Sequence, residues 1–118
     1  MRTMRLLGIK GEDLAAEFLR RKGYKVIDRN FKTPIGEIDI VAMDGEFLVF
    51  VEVKTRCGDA FGHPFEAVDA RKREKLRKVA LYYLKNRWKK DAPSRFDVLS
   101  IRAENGKNEI EHITDAFE

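Results

Sequence analysis

The chain is short of the residues that work by thiol and soft-metal chemistry, with one cysteine, Cys57, and two histidines, His63 and His112, among 118 residues. One cysteine excludes an intramolecular disulfide, and nothing near it points to a nucleophile or a zinc set. The histidines stand alone in sequence, where surface or structural roles outweigh catalysis. No apolar run approaches the length of a membrane span. Met1–Gly8 is basic but holds too short an apolar stretch for a signal peptide, so a cytoplasmic protein without membrane contact is expected. Repeats, linkers and low-complexity segments are also missing, which leaves a single domain, 1–118, with room for a proper core. Acid is scarce in one window. Arg71 to Lys90 holds ten Lys or Arg against Glu74 alone, a local charge of +9 in a chain whose net charge is +4, so the remainder sums to −5. Such segregation favours a polyanionic partner over a merely solvated face.

What is present centres on Gly36–Arg56. Two runs of alternating β-formers flank Asp44-Gly45, the dipeptide of a type I′ hairpin turn. A two-residue turn there sets Met43 opposite Glu46, Ile40 opposite Val49, Asp39 opposite Phe50 and Glu37 opposite Glu52. One face is then wholly apolar, with Ile38, Ile40, Ala42, Phe47, Val49, Val51 and Val53. The other carries Glu37, Asp39, Val41, Leu48, Phe50, Glu52 and Lys54. Asp39 and Glu52 are diagonal neighbours, roughly 7 to 8 Å apart at the backbone, a gap that two carboxylates span around a hard cation. From these residues alone two readings stay open: a divalent metal site, or a solvated strand end in which Lys54 offsets the acids.

Around the hairpin, Ile9–Lys22 has helical periodicity ending at Gly23, with Leu14, Ala15, Phe18 and Leu19 inward. Glu12 falls at the margin of the buried face and points toward the sheet, although an acid early in a helix is also favoured by the helix dipole. Tyr24–Phe31 reads as a strand. Cys57–Pro64 reads as a loop leaving the acidic strand end. Asp69–Lys89 is a second helix with Asp69 as N-cap and Leu76, Val79, Ala80, Tyr83 and Leu84 inward. Lys72 also faces inward, toward the polar mouth or a phosphate, unless it merely snorkels. Tyr82, Tyr83 and Trp88 fit core positions better than base-stacking ones. Phe96–Ile101 and Ile110–Thr114, around a turn at Glu104–Lys107, complete an α-β-β-β-α-β-β order. A crossover through the second helix allows the fourth strand to lie parallel to the third, with both helices covering a mixed sheet.

Asp39, then Glu52-Val53-Lys54 on the next strand, after a helix bearing Glu12, resembles the restriction-endonuclease-like PD-(D/E)xK nuclease core, of which the archaeal Holliday junction resolvases are a similar branch. Gly11-Glu12, Gly36–Ile40, Phe50–Arg56, Phe61-Gly62, Pro64, Glu66–Val68 and Arg95–Asp97 together resemble the bacterial YraN family across nearly the whole chain. The resemblance implies an α/β restriction-endonuclease-like fold and a metal-dependent nuclease acting on DNA, including branched or junction DNA, with Glu12, Asp39, Glu52 and Lys54 as the catalytic set. Asp39 and Glu52, joined by the Val53 carbonyl and by Glu12, would hold Mg²⁺ or Mn²⁺ through oxygen, and Lys54 would serve the attacking water. Glu37 stands behind them. Phosphate contacts are expected from Arg56, Lys72, Arg73, Arg77 and Lys78, and a homodimer would suit paired-strand cleavage. The alternative is a binding or recruiting module on the same fold without turnover.

Overall fold

A computed structural model describes residues 4–57, 68–104 and 106–118, apart from the side chains of residues 4–10, 57 and 104. The elements are α1 (Met4–Arg21), β1 (Lys25–Lys32), β2 (Glu37–Asp44), β3 (Phe47–Cys57), α2 (Ala70–Tyr83), β4 (Ser94–Glu104) and β5 (Lys107–Phe117), with a five-residue π-helical turn, Leu84–Trp88, extending α2. The order matches the sequence pattern, although α1 starts earlier than Ile9 and β4 and β5 are longer than expected. The expected loop beyond Cys57, with His63 and the Phe61-Gly62, Pro64 and Glu66-Ala67 blocks, lies outside the described residues.

The strands form one mixed five-stranded sheet in the order β1-β2-β3-β4-β5, antiparallel except for the parallel pair β3–β4. Alternating side chains send Leu48, Phe50 and Val98 toward Leu76, Val79, Ala80 and Tyr83 of α2. The intervening Val49, Val51, Leu99 and Ile101 pack against Ala15, Ala16 and Leu19 of α1. Each helix thus covers one face. Asp69 caps α2 as expected, its carboxylate accepting from the Lys72 N–H at 2.9 Å.

Two expectations are corrected in the hairpin. The turn residues are Gly45-Glu46, not Asp44-Gly45, with Asp44 paired to Phe47 and Ile40 to Val51. Gly45 has φ 59 and Glu46 has no positive φ, the pattern of a type II′ rather than a type I′ turn. Asp44 stays in the ladder because Arg95 holds its carboxylate at 2.9 Å. The register therefore moves by two residues, so Glu37 does not face Glu52; continuing the ladder one step brings Asp39 there instead.

The second correction concerns the faces. Ile38 packs with Val41 and α2, whereas Ile40 packs with α1, although residues two apart on a regular strand share a face. The ribbon turns over between them. Its partner strand does the same, since Asn30, between the pairs Arg29–Ile40 and Phe31–Ile38, has φ 53. Asn tolerates the left-handed region better than most residues. The β2–β3 pairs end at Ile40 opposite Val51, and beyond them the Asp39 carboxylate itself accepts from the Val53 N–H at 2.8 Å.

Candidate functional site

The turn-over at Asp39 assembles the site. A regular β2 would keep the Asp39 side chain on one face, but the turn brings it beside both Glu12 on the α1 side and Glu52 on the α2 side. Glu12 is placed by close packing, because the preceding Gly11 lies so near β3 that a Cβ there would meet Thr55 Cγ2 at 2.1 Å. Only glycine permits that approach. Asn30 hydrogen-bonds the Glu12 carboxyl, but one of its oxygens, Oε1, is buried without a hydrogen-bond partner among the described residues. Burial, and next the charge of Asp39, push the Glu12 carboxyl above its usual range.

Among the described carboxylates Glu52 is shifted furthest. Burial first, then the charge of Asp39 and a hydrogen bond with it, push its carboxyl up to about 7. Lys72 reaches across from α2 and sets its ammonium 3.5 Å from Glu52 Oε1. Lys54 follows Glu52 by two residues, and burial together with Lys72 pulls its ammonium below the usual lysine range. Its protonated form is held by Glu52 and Asp39, which act in the opposite direction. The site is thus a half-buried group of Asp39, Glu52, Lys54 and Lys72 at the end of the central strands, with Glu12 at its α1 edge.

The sequence-predicted residues fall into four groups. Glu12, Asp39, Glu52, Lys54 and Lys72 come together. Glu37 is exposed, and its charge adds to the upward push on Glu12. At Val53 the main-chain N–H is engaged, by Asp39. Among the described residues no group of three or more Asp, Glu, His or Cys side chains closes around a metal-sized space. Of the expected phosphate contacts, Lys78 is exposed and Arg56 is half-buried. Arg73 donates to the Val68 carbonyl, and Arg77 binds Glu74 and the Glu118 carbonyl, with both guanidinium groups 5.9 Å from the Phe117 ring centroid.

A second polar cluster went unseen in the sequence. Asp97, fully buried, accepts from His112 Nε2 at 2.7 Å, Arg95 Nε at 3.0 Å and the Asp115 N–H at 3.0 Å. Arg95 also binds Asp44 and the Tyr24 hydroxyl, and Lys22 lies 2.8 Å from His112 Nδ1. Burial would raise the Asp97 carboxyl, but His112, Arg95 and the Asp115 N–H together hold it below the usual range. These groups are tied down by one another and joined to the Phe18 and Tyr24 rings, which flank His112 edge-on. The cluster locks β4, β5 and the hairpin turn together. Its only sequence signal is the Arg95-Phe96-Asp97 block, because the partners lie up to 90 residues apart.

No helix among the described residues is long and apolar enough to cross a membrane. The profile of a group described as "Uncharacterised protein family UPF0102" matches residues 11–101, a span that includes Glu12, Asp39, Glu52, Lys54 and Arg95–Asp97. A UPF0102 protein of Thermodesulfovibrio yellowstonii is 52% identical over 111 residues, covering 94% of this chain and 95% of that protein. One from Syntrophomonas wolfei is 50% identical, with 96% and 98% covered, and one from Geobacter sulfurreducens is 49% identical, with 97% and 90% covered.

Proposed function

The chain belongs to the uncharacterised protein family UPF0102, and from the geometry of its acidic site we propose that it is a restriction-endonuclease-like, metal-dependent phosphodiesterase that cleaves DNA in the cytoplasm, with branched DNA as the substrate. One observation carries the reading: acids from a helix and two strands meet at one end of the sheet with Asp39 between Glu12 and Glu52, where Glu12 Oε1 is buried with no hydrogen-bond partner among the described residues and the Glu52 carboxyl is pushed up to about 7. Buried carboxylates gathered at such a cost in repulsion are the mark of a site awaiting a cation.

The donors fit Mg²⁺ or Mn²⁺, being hard oxygens throughout: Asp39 and Glu52 would hold the ion, with the Val53 carbonyl, and Glu12 would join directly or through water. When bound, such an ion supplies Lewis-acid polarisation of a phosphate oxygen and a more acidic water. The chain's own residues do the rest. Lys54 orients the attacking water as an ammonium, and the downward push on its pKa from burial and Lys72 eases its conversion to the neutral amine, the form that accepts that water's proton. Lys72 neutralises the acids at rest and turns to the charge that grows on the phosphate in the transition state. Asp39, fixed by the Val53 N–H, sets the position of the acid pair.

The reading is tested by incubating labelled linear, flapped and four-way DNA with the protein in Mg²⁺, Mn²⁺ or EDTA, beside Asp39→Asn and Lys54→Ala. Metal-dependent cuts by the wild type alone support it. No product on any substrate would transfer the fold to the second reading, a DNA-binding module without turnover, which draws on the Lys72–Glu52 pair as a neutralising device that needs no metal.

A further inference from the structure

The outer face of α2 carries a second pattern. Arg71, Lys75, Lys78, Tyr82 and Lys85 follow one another at intervals of four, three, four and three, which aligns them in a single stripe along the helix. All five are exposed. Among the described residues no carboxylate pairs with any of the four cations, while the neighbouring Arg77 and Arg87 are bound by Glu74 and Asp28. The stripe borders an open groove of about 410 Å³ lined by Ile35, Lys78, Leu81, Tyr82, Lys85 and Asn86, with no acid. Ile35, Leu81 and Tyr82 are 42%, 66% and 36% exposed, unusual for large apolar side chains, so Tyr82 stands at the surface and not in the core where the sequence pattern placed it, with the Phe31 ring 6.3 Å away.

We propose that this groove binds a single-stranded nucleic-acid arm that runs from the acidic site along α2, its phosphates on the lysine stripe and a base stacked on Tyr82. Two features favour that occupant. A duplex presents phosphates but hides the faces of its bases, whereas a single strand offers both, and lysines interleaved with an exposed ring and apolar walls match both. The stripe is also continuous with the site, because Lys72 in the first turn of α2 lies 3.5 Å from Glu52 and the Lys75 stem packs against Gly36 just before β2, where an added Cβ would meet it at 3.2 Å. From Lys72 to Tyr82 the helix rises about 15 Å, enough for about four stacked nucleotides. The inference deepens the nuclease reading by naming the substrate as DNA with an unpaired arm, and it rests on that reading only for the chemistry next door.

Binding in EDTA separates the two. Fluorescence anisotropy of the full chain with a single-stranded oligonucleotide, a blunt duplex and a duplex bearing a single-stranded flap should give tighter binding of the first and third. Tyr82→Ala should weaken those two roughly 5- to 150-fold and leave the blunt duplex unchanged, while Tyr82→Phe keeps wild-type affinity. Lys78→Gln with Lys85→Gln should flatten the log–log salt slope for the single strand by about 1.4. Equal losses on duplex and single strand, no loss at all, or no nucleic-acid binding by the wild type would overturn the proposal, the last leaving an acidic peptide as the occupant. Cleavage by the wild type without a Tyr82 effect would sink the groove and spare the nuclease. Stripe-dependent binding without cleavage in metal would do the reverse.

Discussion

Glu52→Gln should make the metal-free protein more stable, and by an amount that depends on pH. The Glu52 carboxyl ionises at about 7 in the fold against 4.5 for the ordinary group, and its side chain is only 10% exposed, so little solvent screens the difference. An acid whose native pKa is raised binds its proton more tightly folded than unfolded; that stabilisation is complete below pH 4.5 and is lost as the pH climbs through 7. At pH 8 the native state therefore carries a penalty of about 3 kcal/mol. Glutamine removes the charge, and the attraction of Lys72 is already counted in that penalty because it lowers the same pKa. The net gain is then about 3 kcal/mol, which in a chain of 118 residues raises the melting temperature by about 12 °C. Circular dichroism melts of both proteins in EDTA from pH 4 to 8.5 measure it. The curves should coincide at the acid end and diverge between pH 5 and 8 with the variant above. Parallel curves, or a variant less stable at pH 8, would show that Glu52 ionises normally and that the acids are not strained.

Mg²⁺ or Mn²⁺ at a hundred times the dissociation constant should stabilise the wild type at pH 8 by about 2.7 kcal/mol, read as a higher melting temperature. Asp39→Asn should cancel that gain without destabilising the metal-free protein, and a destabilised Asn variant with no metal effect would leave only a salt-bridge cluster. Gly11→Ala should cost about 1 to 3 kcal/mol in urea unfolding despite the better helix propensity of alanine, because its methyl collides with Thr55 Cγ2. Adding Thr55→Ser should restore most of the loss; a purely additive double variant would refute the contact. Arg95→Met should cost about 3 to 5 kcal/mol by leaving the buried Asp97, and the half-exposed Asp44, short of a cation, whereas a loss below 1 kcal/mol would mean that His112 and the Asp115 N–H satisfy Asp97 without it.

The elements were legible because period and punctuation agreed: Gly23 ends α1, Asp69 caps α2, and a run long enough for a helix separates two strands that pair in parallel. That Glu12 and Lys72 point toward the acids of the hairpin was legible from spacing on their own elements, whereas the expected register set Asp39 diagonal to Glu52 and not opposite it. What could not be read is what distant residues decide. Gly45 fits the first or the second turn position equally well, and Arg95, 51 residues from Asp44, selects the first. The face change at Asp39 depends on Asn30 in another strand. Arg73 and Arg77 look like phosphate ligands until β5 brings Phe117 beneath them, and no local pattern marks that meeting.

The Asp39 carboxylate takes the place of a main-chain rung between β2 and β3. In evolutionary terms, this one atom group is under two selections at once, for chemistry and for closing the sheet. A descendant that no longer needed the chemistry could not discard it freely. Alanine would strand the Val53 N–H, at a cost of about 1 to 3 kcal/mol, while asparagine would keep the acceptor and relieve the repulsion with Glu52. Loss of activity in such a lineage would therefore be written first as Asp39→Asn, with the sheet intact around it.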